Sequence, residues 1–364
     1  MTESERQLLA LIRLAITGEP QDELQGDIDW ETVYALAQGH TIEGIIFAGI
    51  ERLPREKRPK IELLMDWFGQ TEYIKRENQN KGKALGELSA MMAKHSISYV
   101  VFKGLSAAAV YPDKLGCLRI PGDIDFYVPA WDFSRAVDVF EKEWRVEINK
   151  SEIDKHFSFC KDKVPYELHY QMETFGRDKH QRYFARLVDD SLKQGKTEGF
   201  DAGGNKVVKL CPELDMILVM KHWMTHLIGE GVGLRQTIDL AMLVNRHKGT
   251  VDVATIREYL SGIGYTKAFD AVVAMVERYF DIKWDGYPLC LSGYKNADRL
   301  MTTIMKNGNF GRSDYKYKTG KMKRAETTVR FFKHCFRFMN LAPTDILCMF
   351  TKRIAISIAA HRGN

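Results

Sequence analysis

The stretch that decides the fold is RIPGDIDFYV, which runs from Arg119 to Val128. It places two aspartates, Asp123 and Asp125, one residue apart inside an apolar run, although charged residues are usually kept out of buried strands. Side chains at positions i and i+2 of a strand point to the same face. The stretch therefore predicts a strand that holds two carboxylates side by side.

Two carboxylates at this spacing repel each other, and one of them takes up a proton unless a cation lies between them. A divalent ion resolves this conflict, and Mg²⁺ prefers a few carboxylates together with substrate phosphates. Two such ions can activate an attacking hydroxyl and neutralise a leaving pyrophosphate. We therefore predict that Asp123 and Asp125 bind Mg²⁺ or Mn²⁺, and that Gly122 lets a nucleotide approach the backbone closely.

A third acid and a phosphate-binding turn strengthen this hypothesis. Glu167 lies in VPYELHY, a second candidate strand, and it completes a carboxylate triad if the two strands are neighbours. The segment FKGLSAAA predicts a strand that ends at Lys103 and Gly104, followed by a short helix that begins near Ser106. Backbone N–H groups at such a turn suit anionic phosphates. Lys103 adds a positive charge and Ser106 a hydroxyl.

Helical patterns surround this core on both sides in the sequence. We predict an N-terminal helical region over residues 1–95, an α/β core over 96–210, and a C-terminal helical region with a basic tail over 211–364. Within the core, the segment RVEIN (145–149) reads as a further short strand. The predicted fold class is α+β, with a small mixed β-sheet embedded between the two helical regions.

Composition limits the class of protein. The chain has 364 residues, of which 45% are hydrophobic and 28% charged, as is ordinary for a globular protein. No apolar run reaches the ~20 residues that a transmembrane helix needs, and the acidic N-terminus does not resemble a secretory signal. Six scattered cysteines without a C-x-x-C pair argue against a disulfide framework and fit a reducing compartment. We therefore predict a cytoplasmic protein.

Positive charge is concentrated at the C-terminal end. From residue 311 onward there are 12 Lys or Arg and 3 Asp or Glu. The segment FFKHCFRFMNL (331–341) also interleaves phenylalanines with basic residues, a pattern that can bind single-stranded nucleic acid. The same pattern fits a helix with aromatic residues toward a core and a solvated basic face. Both interpretations of residues 320–364 stay open at this stage.

The order of these motifs resembles the DNA polymerase β-like nucleotidyltransferase superfamily. The sequence is more closely similar to a bacterial family of uncharacterised nucleotidyltransferases, over residues 30–250. The matching positions are Lys103-Gly104, Tyr111-Pro112, Arg119, Asp123-Ile124-Asp125, Glu167-Leu168-His169, Leu234-Arg235-Gln236 and Asp239. The sequence departs from the wider superfamily at Leu105, which separates Gly104 from Ser106.

The resemblance implies a nucleotidyltransferase core that transfers a nucleoside monophosphate from a nucleoside triphosphate (NTP), such as ATP, to an unidentified hydroxyl acceptor. Asp123 and Asp125 would be metal ligands, and Glu167 a third ligand or the general base. Gly104 and Ser106 would hold the triphosphate. The acceptor implied by the resemblance stays open among a small molecule, a sugar, a protein and RNA.

Several residues outside the acid triad are candidates for roles beside the site. We expect Arg119, also counted among the nucleotide-binding residues, to contact the triphosphate or hold the entrance of the strand. His222 and His226 have a zinc-like i,i+4 spacing but lack the Glu of H-E-x-x-H, so we expect Lys221 or His222 to face the nucleotide or solvent. Arg235 and Asp239 form either a helix-surface ion pair or part of the site.

His169 is expected on the strand face opposite to Glu167, in a supporting role or in the core. Two other functions compete with metal-dependent transfer to a small acceptor. One is an RNA-modifying nucleotidyltransferase that uses the basic tail over 320–364. The other is a non-catalytic module that binds an NTP on the same fold.

Overall fold

The fold is that of a computed structural model, which describes residues 1–150, 155–309 and 320–362. Side chains are described throughout these ranges except in 320–326 and 355–362. Part of the predicted basic tail therefore lies outside the described residues.

Six strands form one mixed sheet. They are β1 (Val100–Val101), β2 (Ile124–Tyr127), β3 (His156–Lys161), β4 (Val164–His169), β5 (Thr197–Ala202) and β6 (Asn205–Leu210). Their spatial order is β3-β4-β2-β1-β6-β5. The pairs β2–β4 and β1–β6 are parallel, and the other neighbouring pairs are antiparallel. The strand that carries the aspartates is thus an inner strand.

Four helices precede the sheet: α1 (Glu3–Thr17), α2 (Trp30–His40), α3 (Glu43–Glu51) and α4 (Ile61–Lys94). Local capping explains where the first two begin. Thr2 and Glu5 form a capping box at α1, and the Asp29 carboxylate accepts the Thr32 N–H at α2. The long helix α4 then packs across β6 and β5.

Three helices lie between strands, and seven follow the sheet. The first group is α5 (Gly104–Ala108), α6 (Ala130–Val139) and α7 (Asp178–Lys193). The second is α8 (Pro212–Gly229), α9 (Leu234–His247), α10 (Val253–Ile263), α11 (Thr266–Phe280), α12 (Leu291–Asn307), α13 (Gly320–Phe338) and α14 (Pro343–Arg362). Among the described residues, no helix combines the length and apolar character needed to cross a bilayer.

The two faces of the sheet pack against different partners. Ile124, Phe126, Tyr166 and Leu168 point to one face, where they share a core with α4 and α6. The other face turns toward a larger core that contains side chains from α1–α4 and α7–α14. Because neighbouring strand residues alternate between faces, the acids between these apolar residues point toward the larger helical region.

The predicted α+β class, with a mixed sheet between helical regions, is confirmed. The predicted strand over 145–149 is wrong. Residues 140–144 extend α6 as a π-helical turn, and Arg145 ends that turn in the left-handed region at φ +53°. Only a single bridge from Asn149 to Ser158 remains of the predicted pairing.

The six cysteines are all free thiols, as their scattered positions predict. They are not uniformly buried, however, because Cys117, Cys160 and Cys290 are exposed and Cys335 is enclosed in the core.

Candidate active site

The three predicted acids converge at the centre of the sheet. In the parallel ladder between β2 and β4, Asp125 lies directly opposite Glu167. Asp123 stands two residues before Asp125, at the entrance of the strand, and is the more exposed of the two. The prediction that the two acidic strands are neighbours is therefore confirmed, and the three carboxylates share one face of the sheet.

These acids form one wall of a cavity of about 280 Å³. The other walls come from the β1–α5 turn and from helices α8 and α9. The residues that line the cavity are Lys103, Gly104, Arg119, Gly122, Asp123, Asp125, Glu167, Val219, His222, Trp223, His226, Arg235, Gln236 and Asp239. A carboxylate wall thus faces cationic and imidazole side chains, an arrangement that suits an anionic ligand bound together with a cation.

The β1–α5 turn brings a cation onto the acids. Lys103 has φ +60° and Gly104 φ +33°, so the chain turns sharply between strand and helix. A Cβ atom at Gly104 would stand 3.4 Å from the Asp123 carbonyl oxygen, which shows how closely the turn approaches β2. The left-handed backbone is costly for a lysine. It places Lys103 Nζ 3.3 Å from Asp125 Oδ1.

The two aspartates have different electrostatic environments. Desolvation in the cavity wall, together with repulsion from Glu167 and Asp125, raises the pKa of Asp123. Burial also acts to raise the pKa of Asp125, but the Lys103 ammonium and the His169 hydrogen bond outweigh it and hold that pKa far below its usual range. The cluster therefore carries repulsion that a bound cation would relieve, and its oxygen donors fit Mg²⁺ or Mn²⁺.

His169 belongs to this cluster, and the expectation that it points to the opposite strand face is wrong. Its Nε2 atom lies 3.0 Å from Asp125 Oδ1 and 3.2 Å from Glu167 Oε2. The physical reason is the strand repeat itself, because residues 167 and 169 are two apart and share a face. His156 on β3 was not predicted, and its Nε2 lies 3.6 Å from Glu167 Oε1.

Arg119 and Asp239 form a buried ion pair. The Arg119 Nε and Nη2 atoms donate to the two Asp239 oxygens at 2.6 and 2.8 Å. Tyr111 adds a hydrogen bond from its hydroxyl to Asp239 Oδ1 at 2.8 Å. Arg119 thus lines the cavity but is anchored by α9. Arg235 Nη1 donates to the Ile120 carbonyl at 3.2 Å, so both arginines hold the chain segment that leads into β2.

Two predicted residues do not reach the cavity. Ser106 is fully buried in α5 and is not among the cavity residues, so its expected role in holding the triphosphate is not supported. The inserted Leu105 places the serine one position further into the helix. Lys221 is buried on the far side of α8, where its ammonium lies 2.9 Å from Thr225 Oγ1 and 3.5 Å from Asp345 Oδ2.

The two histidines of α8 form a hydrogen-bonded chain that ends on an acid missed in the sequence. His222 Nδ1 lies 2.7 Å from Glu173 Oε1, and His226 Nε2 lies 3.0 Å from His222 Nε2. Lys155 also pairs with Glu173 at 2.8 Å. Burial, followed by the neighbouring His222, lowers the pKa of His226 to about 3. Burial also lowers the pKa of His222, and both rings line the cavity.

Comparisons with known proteins agree with the motif order. The family model described as "Uncharacterised nucleotidyltransferase" matches residues 26–281, more than half of the chain. A search of curated proteins found no match.

One similar solved structure is an antigenic nucleotidyltransferase-like protein from Paracoccidioides brasiliensis. It is 10% identical, with a TM-score of 0.33, over 59% of this chain and 96% of that one. A TM-score this low carries no weight for the fold. The assignment therefore depends on the family match: the chain belongs to the uncharacterised nucleotidyltransferase family.

Proposed function

We propose that this protein transfers a nucleoside monophosphate from an NTP to a hydroxyl acceptor and releases pyrophosphate. The observation that carries the proposal is the cavity whose acid wall, Asp123, Asp125 and Glu167, faces Lys103 and Arg235. A triphosphate needs cationic partners, and the transferred group needs a site where negative charge can be neutralised as it develops. One cavity offers both.

The proposed reaction is a displacement at the α-phosphorus, assisted by Glu167, Lys103 and Arg235. The acceptor oxygen attacks the α-phosphorus, the new P–O bond forms, and the bond from the α-phosphorus to the β-phosphate oxygen breaks. Glu167 takes the acceptor proton, because it lies on β4, on the opposite side of Asp125 from the strand that leads to Lys103. Lys103 and Arg235 balance the charge of the departing pyrophosphate.

Asp123, Asp125 and Glu167 are the residues that would hold Mg²⁺ or Mn²⁺. Such an ion, when bound, polarises the α-phosphate and neutralises charge on the leaving group. Without it the three carboxylates repel one another, as the raised pKa of Asp123 reflects. His169 fixes the orientation of Asp125 and Glu167 through its Nε2 atom.

The test is pyrophosphate release from each of four labelled NTPs with Mg²⁺ or Mn²⁺. Label transferred to the protein itself is followed in the same reactions. We expect metal-dependent release that Asp123→Asn and Asp125→Asn each abolish. The matched control is Asp138→Asn, which changes an acid whose side chain is 63% exposed on α6.

Full activity in either active-site variant would contradict the proposal. NTP binding without pyrophosphate release, across a screen of metabolite and RNA acceptors, would instead favour a non-catalytic NTP-binding module.

A further inference from the structure

Two histidines stand beside the proposed catalytic acids, and neither is a metal ligand in the three-carboxylate scheme. His156 on β3 lies opposite His169 in the antiparallel ladder with β4, and Glu167 precedes His169 by two residues. One ligand atom from each of His156, Glu167 and His169 lies within 4.8 Å of the other two. His156 begins the edge strand β3, and Glu167 and His169 lie on the neighbouring inner strand β4, so the ladder between the two strands holds the three residues together.

The distances are those of ligands around a single ion. For metal–ligand bonds of ~2.1 Å, neighbouring ligand atoms stand ~3.0 Å apart in an octahedron and ~3.4 Å apart in a tetrahedron. His169 Nε2 is 3.2 Å from Glu167 Oε2 and 3.0 Å from Asp125 Oδ1. His156 Nε2 is 3.6 Å from Glu167 Oε1. No large movement is needed for these atoms to share a metal.

The surroundings of His169 favour a ligand role for its Nε2 atom. The ring is fully buried and packs edge-on against Phe102, with centroids 4.9 Å apart. Its Nδ1 atom lies 3.4 Å from the Gln171 carbonyl oxygen, which can only accept a hydrogen bond. In the metal-free protein the Nε2–H group donates to Asp125, and a metal ion that displaces this proton would find Nε2 held in place by Nδ1–H on a backbone carbonyl, a common support of metal-bound histidine.

We propose that His156, Glu167 and His169, with Asp125 beside them, form a site for a transition-metal ion such as Mn²⁺, Co²⁺ or Zn²⁺. Imidazole nitrogen suits these ions, whereas Mg²⁺ prefers oxygen ligands and retained water. The inference deepens the proposed function, because Asp125 and Glu167 belong to its acid wall. It predicts that the site discriminates in favour of transition metals over Mg²⁺.

The experiment uses the full chain, stripped of metal with a chelator, and adds Co²⁺ alone without nucleotide. The visible absorption of bound Co²⁺ reports its ligands and geometry. In a parallel sample, the electron paramagnetic resonance of bound Mn²⁺ reports nitrogen ligands through their hyperfine coupling. We expect one ion bound per chain, nitrogen coupling from imidazole, and at least 10-fold weaker binding of Mg²⁺ in competition.

His156→Gln is the main variant, because its side chain is 21% exposed and its removal leaves the buried His169 in place. We expect at least a 10-fold loss of Co²⁺ affinity and loss of one nitrogen coupling, with an unchanged thermal midpoint. The matched control is His95→Gln, a histidine that pairs with Glu143 at the end of α4. That variant should bind Co²⁺ like the unaltered chain.

Unchanged Co²⁺ affinity in His156→Gln, or Mn²⁺ bound without nitrogen coupling, would overturn the metal inference. If the metal inference failed in this way and the unaltered chain still released pyrophosphate with Mg²⁺, the proposed function would stand. If bound Mn²⁺ shows nitrogen coupling but no NTP yields pyrophosphate, the metal inference stands and the proposed function fails. The two proposals are therefore tested separately.

Discussion

Asp123 and Asp125 show how one residue type takes different properties from its immediate surroundings. Asp125 accepts hydrogen bonds from Lys103 and His169, while desolvation and then repulsion from the other two acids raise the pKa of Asp123. Conversion of each aspartate to asparagine should therefore affect the metal-free protein differently, although both changes are expected to abolish transfer.

We expect Asp123→Asn to leave the free energy of unfolding unchanged or to raise it, because a repelled charge disappears. Asp125→Asn should lower it by about 1.5–3 kcal/mol, the usual worth of hydrogen bonds to a charged group. Urea unfolding at neutral pH, without added metal, measures both. Equal effects of the two substitutions would contradict this account of the cluster.

The buried pair of Arg119 and Asp239 has a structural role as well as a place in the cavity wall. Arg119→Ala should lower the free energy of unfolding by about 3–5 kcal/mol, because it leaves a buried carboxylate without its cation. The control is Lys142→Ala, which breaks an exposed i,i+4 pair with Asp138 and should cost less than about 0.5 kcal/mol. Chemical denaturation compares the two variants, and similar losses would contradict the prediction.

The sequence predicted that Asp123 and Asp125 share a strand face, because the alternation of side chains along a strand is a local property. It could not predict which acids pair with bases from distant parts of the chain. Asp239 meets Arg119 across 120 positions of the chain, and Glu173 meets His222 across 49. The displacement of Ser106 from the cavity also depended on tertiary packing, since a five-residue helix has no periodicity from which to read its buried side.

At the scale of elements, the glycines of α4 show where the helix approaches the sheet. A Cβ atom at Gly86 would stand 2.6 Å from the Ala202 carbonyl oxygen, which belongs to the β5–β6 hairpin. One turn earlier, a Cβ atom at Gly82 would meet nothing within 4 Å. The two positions lie in the same helix and differ in what surrounds them.

We expect Gly86→Ala to destabilise the protein by about 1–3 kcal/mol, because the backbone of the hairpin must move. Gly82→Ala should stabilise it by about 0.5–1 kcal/mol through the better helix propensity of alanine. Thermal unfolding followed by circular dichroism distinguishes the two. A stabilising effect of Gly86→Ala would show that α4 and the hairpin are not in close contact.

Helices with clear amphipathic patterns, such as α9 and α11, were predictable from the spacing of their apolar residues. The hairpin of β5 and β6 was not recognised as a pair of strands, although it completes one edge of the sheet. The residues of this hairpin show little alternation between polar and apolar side chains. The hairpin is defined instead by its contacts with α4 and β1. Long-range packing therefore determines the secondary structure of those segments that the local sequence pattern does not identify.

For the whole molecule, buried neutral histidines set the response to acid. Burial lowers the pKa of His40 and of His334 to about 4. The Leu234 N–H donates to His40 Nδ1, and the Asn307 amide lies 3.2 Å from His334 Nε2. Both contacts are consistent with neutral rings. Below the unfolded-state pKa of 6.5 the unfolded chain binds more protons than the folded one, so stability falls as pH falls.

We expect the free energy of unfolding to decrease between pH 6.5 and about 4, with a slope of roughly 1.4 kcal/mol per pH unit for each such histidine. Urea unfolding at a series of pH values measures the slope. His334→Gln should reduce it while the remaining buried histidines keep it above zero. A pH-independent stability across this range would contradict the assignment of neutral rings.

The C-terminal helices belong to the body of the protein. Phe331 and Phe338 are buried, and His334 Nδ1 lies 2.7 Å from the Leu227 carbonyl oxygen of α8. We therefore expect deletion of residues 320–364 to lower the thermal midpoint and to weaken NTP binding together, because α8 lines the cavity. A deletion is thus a poor test of RNA binding by the tail.

The matched control is the double variant Lys333→Glu and Phe336→Ser on the exposed side of α13, where the Phe336 side chain is 70% exposed. It should leave the thermal midpoint unchanged. Salt-dependent RNA binding that this double variant abolishes would support RNA as the acceptor. RNA binding that is absent in the unaltered chain would count against it.

The cavity draws its walls from distant parts of the chain, and this has a consequence for biosynthesis. The acid strands are translated first, and the α9 residues Arg235 and Asp239 follow them. At ~5–20 residues per second, the ribosome completes α9 roughly 4–16 s after Glu167. During that interval the nascent chain carries the acids and Lys103 but lacks Arg235, the cation that α9 contributes to the cavity. Products of premature termination in this window would therefore lack a site for the triphosphate, and transfer would begin only once translation had passed α9.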